Sequence, residues 1–216
     1  LYTPLNTIVS FGITENLIQS YNSKLYYKHR ENRKLVLDKG HIFINQYEND
    51  TYAIISELQE YATSGIAGYS HAVDMWLKTF PNMMDDPIKI DAIKHLFIHS
   101  KVALIYGAAG TGKSTLVDLI AHYFHDKSKL FLAHTNPAID NLKRKISSQN
   151  SEFRTIKSHI SRNNIFKEYD LLIIDECSTV SNSDILDVIN KTSFKLILLV
   201  GDVYQIESIQ FGNWFN

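Results

Sequence analysis

The sequence is poor in the features that would take it away from an ordinary folded domain. It has one cysteine, Cys177, in 216 residues, so no disulfide can form within the chain. No apolar run approaches the roughly 18 residues that a membrane-spanning helix needs. Charge of one sign is lacking too: 22 Lys and Arg stand against 23 Asp and Glu, a net charge of −1. A chain without a basic excess does not advertise a polyanion partner as a whole, so any nucleic-acid contact has to be local. These absences set the expectation of a soluble, intracellular (cytoplasmic) protein with no membrane partner. The chain opens on Leu1 and closes on Phe211-Gly-Asn-Trp-Phe-Asn216, which suggests a piece of a longer chain. At this length about 70% of the unfolded surface can be buried on folding, enough for a real core.

Residues 1–80 lean helical and carry no catalytic signature. Ile54, Ile55, Leu58, Tyr61 and Ala62 recur at helical spacing, as do Val73, Trp76 and Phe80, while His41 to Asn45 reads as a short strand. Lys24, Lys28, Arg30, Arg33 and Lys34 surround Tyr26 and Tyr27 and read as a solvated helix face. Pro81 and Pro87 bracket a linker at 81–87. Beyond it, in 88–216, strand-like apolar runs at 102–106, 130–133, 153–156, 171–174 and 195–200 alternate with helical segments. That alternation predicts an α/β domain with a parallel central sheet. The runs at 171–174 and 196–200 are apolar throughout, as central strands covered on both faces should be. Ligands in such sheets sit at the carboxyl ends of the strands, and the chemistry-bearing residues do follow the runs.

After the first run comes Gly107-Ala108-Ala109-Gly110-Thr111-Gly112-Lys113-Ser114, a complete GxxxxGK[ST] pattern, followed by Thr115 and a helical stretch. Glycines let such a loop turn its N–H groups toward phosphates, and the helix that opens at Lys113 adds partial positive charge at its N-terminus. A nucleoside triphosphate is the expected ligand, with Lys113 on the β- and γ-phosphates and Ser114 on Mg²⁺. After the fourth run, Asp175 can hold Mg²⁺ and Glu176 can polarise an attacking water. Gln205, after Gly201 and Asp202, can hydrogen-bond the γ-phosphate or that water. After the second run, Thr135 or Asn136 can cap a helix with Pro137 in its first turn, and an exposed helix start can also take a nucleic-acid phosphate.

In this order the segments resemble the first motor domain of superfamily 1 helicases, nearest to the RecD, Pif and RNA-surveillance types. GAAGTGKS corresponds to motif I, HTNPAIDNL to motif Ia, Thr155-Ile-Lys-Ser158 to the next DNA-contact segment, DECS to motif II and GDVYQ to motif III. The resemblance implies a RecA-like phosphate-loop domain with ATP and Mg²⁺ as cofactors and single-stranded DNA or RNA as partner, contacted by Thr135, Asn136 and Thr155. It implies as well a second RecA-like domain in the parent chain. Three departures stand out. Lys89 takes the place of the glutamine that reads adenine, Ile206-Glu-Ser-Ile209 replaces a proline-bearing segment, and no arginine follows Arg162 to serve as an arginine finger. The rival readings are a phosphate-loop kinase and a nucleotide-operated switch that never translocates. His122 and His125 are expected to have ordinary packing or surface roles, Cys177 to fill its loop, and Trp214 and Phe215 to pack on a partner domain.

Overall fold

The computed structural model describes residues 3–215 apart from 11, 13, 82, 85, 163–166 and 203–213. The first stretch holds β1 (Thr3–Pro4), α1 (Leu5–Ser10), α2 (Glu15–Lys24), α3 (Arg30–Arg33), β2 (Leu35–Asp38) and β3 (His41–Ile44). β3 pairs antiparallel with both β1 and β2 in a small three-stranded sheet, where one strand was expected. The basic stretch is not one helix face: it spans the end of α2, an exposed turn and the four-residue α3. Two long helices follow, α4 (Asn45–Ala62) and α5 (Tyr69–Thr79), then α6 (Pro87–His95). Asp86 caps α6, accepting from the N–H groups of Ile88 (3.0 Å) and Lys89 (3.4 Å), with Pro87 pre-set in the first turn.

The rest alternates as read: β4 (Val102–Tyr106), α7 (Lys113–Tyr123), β5 (Lys129–Ala133), α8 (Asn136–Lys145), β6 (Ser151–Thr155), α9 (Ile156–Ile160), β7 (Glu168–Ile174), α10 (Asn182–Lys191) and β8 (Ser193–Gly201). The five strands form one parallel sheet in the order β4-β8-β7-β5-β6. β7 and β8 are buried over nearly their whole length, the state their unbroken apolar runs demand. One face packs Ile105, Phe131, Ile173 and Leu198 against α5 to α8; the other packs Leu132, Leu172, Ile174 and Ile197 against α4, α9 and α10. Helices from the first 80 residues therefore cover both faces: Ile54 of α4 is buried on one, Tyr69 and Val73 of α5 on the other. Asn182 of α10 fastens α4 by donating to Tyr47 O (3.1 Å) and Thr51 Oγ1 (2.8 Å).

Trp214 and Phe215 depart from expectation. They pack on this domain's own core, with Trp214 Nε1 donating to Val180 O at 3.1 Å and the Phe215 ring pressed on Gly201 so closely that a Cβ there would collide. Among the described residues no helix is long and apolar enough to cross a membrane.

His159 of α9 is fully buried. Its Nδ1 accepts from Arg154 (3.3 Å), so Nε2–H donates to Thr192 Oγ1 at 2.8 Å. Burial first, then the charges of Arg154 and Arg162, lower the imidazole to about 4. An unfolded chain takes up this proton near its usual pKa of about 6.5, and the folded one only near 4. The contribution is thus complete above the unfolded value and is lost as pH falls toward 4. Urea unfolding at about pH 7.5 and about pH 5 should show wild-type stability falling with acid, and His159→Leu should flatten that fall. An equally steep fall in the variant would contradict the assignment.

Candidate functional site

The parallel register lines up the strand ends. Tyr106 of β4 lies opposite Gly201 of β8, Ile174 of β7 opposite Leu199 of β8, and Leu132 of β5 opposite Ile174. The loop after β4, the Asp175–Glu176 pair after β7 and Asp202 after β8 consequently open onto one cleft of about 390 Å³. Its loop-side wall runs from Ala109 to Thr115, with Lys113 and Ser114 in the first turn of α7. Gly110 (φ 81°) and Gly112 (φ 84°) sit in the left-handed region that glycine alone adopts freely, which is why the loop can turn into a helix so tightly. Gly112 also has the Lys89 side chain against it: a Cβ there would lie 2.8 Å from Lys89 Cε. Lys89 is held in place by Asp86 at 2.5 Å, so the residue standing at the glutamine position puts an ion pair beside the loop.

Lys113 Nζ donates to the carbonyls of Gly107 (2.5 Å) and Ala108 (2.9 Å) and lies 3.8 Å from Asp202 Oδ2. Thr111 Oγ1 closes the loop on itself by donating to Ala108 O at 2.9 Å. Asp175 is half-buried at the end of β7, and its Oδ1 accepts from the Glu176 N–H at 2.9 Å. Burial pushes its carboxyl up, while that hydrogen bond, Lys113 and Lys145 pull it down. Glu176 is pushed up by burial and then by the Asp175 charge. It also holds φ 56°, a conformation rare for a side chain of its size and of the kind that clusters at functional sites.

The donor set fits a triphosphate with Mg²⁺. Ser114 Oγ and one carboxylate, Asp175, are the protein ligands that Mg²⁺ favours when phosphates complete its shell. Among the described residues no cluster of three His, Cys, Asp or Glu competes as a metal site, and His122 instead meets Ser147 Oγ at 3.3 Å. Cys177 is buried, with its thiol raised by burial and Sγ donating to Ile174 O, so it fills the loop as expected.

Thr135 and Thr155 act as helix caps, accepting from Ala138 N (3.3 Å) and Ser158 N (3.2 Å). Ala133 pairs with Thr155, so these two caps and exposed Asn136 share the far end of the same sheet edge. Gln205 lies outside the described residues. Two residues that sequence reading missed line the cleft: Asn141 and Lys145, four apart on α8. Lys145 Nζ donates to Ser114 Oγ at 3.3 Å. Their helical spacing was visible, but only the packing of α8 beside α7 turns that face toward the loop.

Fold and cleft together define a RecA-like phosphate-loop domain. A family model described as an AAA domain matches residues 89–216, and the chain belongs to that family. No curated protein matches it. Among solved structures, the crystal structure of PRRSV nsp10 (helicase) is similar at 15% identity and a TM-score of 0.34, over 51% of this chain and 27% of that one. So slight a likeness carries no property across.

Lys113→Ala should weaken ATP·Mg²⁺ binding at least about tenfold, since a lysine on terminal phosphates makes charge-assisted hydrogen bonds of about 1.5–3 kcal/mol each. Titration with a fluorescent ATP analogue measures this. Equal affinities for variant and wild type would remove the loop from the site.

Proposed function

We propose that residues 88–216 are the first motor domain of a superfamily 1 helicase or translocase that binds ATP with Mg²⁺ and hydrolyses it while acting on single-stranded DNA or RNA. The observation that carries this is the convergence of the 107–115 loop, Asp175 and Glu176 on one cleft. In this reading the loop's N–H groups and Lys113 bind the phosphates. Ser114 and Asp175 hold Mg²⁺, which when bound neutralises charge on the phosphate oxygens. Glu176 takes a proton from the water that attacks the γ-phosphorus as the bond to the β-phosphate oxygen breaks, giving ADP and phosphate. The upward push on Glu176 favours that role, because a base is most effective when its pKa approaches the working pH. Gln205 is proposed to read the γ-phosphate.

Thr135, Asn136 and Thr155 are proposed to take nucleic-acid phosphates, a role compatible with capping because an exposed helix start offers free N–H groups. Motor action needs a second surface that closes and reopens around the nucleotide, so a second RecA-like domain is a further proposed partner. Residues 1–80 are proposed as an accessory region joined through 81–87, buttressing the motor through α4 and α5. A cytoplasmic location belongs to the same proposal and accords with the one buried, unpaired cysteine.

Glu176→Gln should keep nucleotide binding and cut hydrolysis by about 10² or more, because the amide preserves shape but cannot accept the proton. Asp175→Asn should instead raise the Mg²⁺ concentration needed. Phosphate-release assays with and without single-stranded DNA and RNA test both. Normal hydrolysis by Glu176→Gln would exclude the proposed base.

A further inference from the structure

β5 and β7 run side by side with Leu132 opposite Ile174, and the Asp175 N–H extends the ladder to Leu132 O at 2.9 Å. Two residues beyond each of these strand positions stand His134 and Glu176. Parallel register therefore sets positions 134 and 176 side by side just beyond two paired strand ends. The Glu176 main chain is fully engaged: its carbonyl accepts from Thr179 N (2.9 Å) and Thr179 Oγ1 (2.8 Å), and its N–H donates to Asp175. Those bonds fix the backbone in its left-handed conformation but leave the side chain to be aimed by something else. Among the described residues no hydrogen bond holds the Glu176 carboxylate, while His134 Nδ1 is buried without a partner. A buried ring nitrogen in that state is costly unless it is used. The charge of His134 also acts on Glu176, opposing the push from burial and from Asp175.

We propose that His134 is a positioning residue for the hydrolysis described above: with nucleotide bound, its Nδ1–H donates to the Glu176 carboxylate, a bond not made in this structure, and aims it at the water. The inference rests on the reading of Glu176 as the base. It gives a role to the residue between β5 and the Thr135 cap, one that neither the phosphate loop nor the metal ligands require.

Two readouts test it. In the chain saturated with Mg²⁺ and a non-hydrolysable ATP analogue, the ¹⁵N signals of the His134 ring should shift on Glu176→Gln, while those of His159 stay in place. In turnover, His134→Phe should slow hydrolysis on the order of tenfold to a hundredfold, the scale of a misaimed catalytic group. Its affinity for a fluorescent ATP analogue should stay within about twofold, separating chemistry from binding. His134→Asn, which keeps a donor near the same place, should recover most of the rate. An unmoved ring signal, a wild-type rate in His134→Phe, or a parallel loss of affinity and rate would each overturn the proposal. Should His134→Phe fail to fold, the ring signal and His134→Asn decide the matter. Absence of nucleotide binding by the wild-type chain would defeat the hydrolysis reading by itself, whereas an unmoved ring signal with normal ATP binding would defeat only the pair.

Discussion

The parallel pairing of β7 between β5 and β8 is the constraint on which the rest depends. It places Ile174 opposite both Leu132 and Leu199, and so fixes where Asp175 and Glu176 leave the sheet relative to His134 and to Gly201-Asp202. A slip of one residue would turn every side chain of β7 to the opposite face, sending Leu171 and Ile173 into the wrong core and the two acids away from the loop. Burial on both faces makes that slip prohibitive, since β7 and β8 contribute fully buried side chains to both clusters. Core packing and site geometry are thus one arrangement seen from two ends of the same strands.

The electrostatics of the cleft follow from the same lines. Lys113 and Lys145 reach it from α7 and α8, while Asp175, Glu176 and Asp202 reach it from strand ends. Lys113 is presently turned onto its own loop carbonyls and Lys145 onto Ser114. Lys113 is met by neutral carbonyls with Asp202 Oδ2 3.8 Å away, and Lys145 by a neutral hydroxyl, weaker acceptors than the phosphate oxygens they are proposed to meet. The left-handed Glu176 is the local strain in this arrangement, and the Thr179 bonds are what hold it.

Much of this was legible in the sequence because the signals were local. A glycine-rich loop between an apolar run and a helix, and acids placed directly after a buried run, carry their meaning in spacing alone. The five strands were readable from apolar runs, although β6 starts at Ser151 and β7 at Glu168, earlier than their apolar residues suggest, because pairing with neighbours recruits polar flanks into the ladder. Lys145, Asn141 and His134 were not legible as site residues. Their roles depend on which neighbour each strand and helix finds, and a sequence does not display that. Trp214 and Phe215 were misplaced for the same reason: the groove that receives them is made by Val180 and Gly201, far from them along the chain. Of the small antiparallel sheet only β3 was read, because β1 is two residues long and the four residues of β2 follow directly on the basic stretch.

The central claim is that one bound nucleotide is surrounded by groups from three strand ends and α8. The most direct test replaces Mg²⁺ with paramagnetic Mn²⁺ in complex with a non-hydrolysable ATP analogue and follows broadening of backbone amide signals. The account predicts strong broadening at Ser114, Asp175, Glu176, Gly201 and Lys145 together, with Lys129, Glu168 and Ser193, at the amino ends of β5, β7 and β8, unaffected. Broadening confined to the loop, or centred anywhere else, would contradict it.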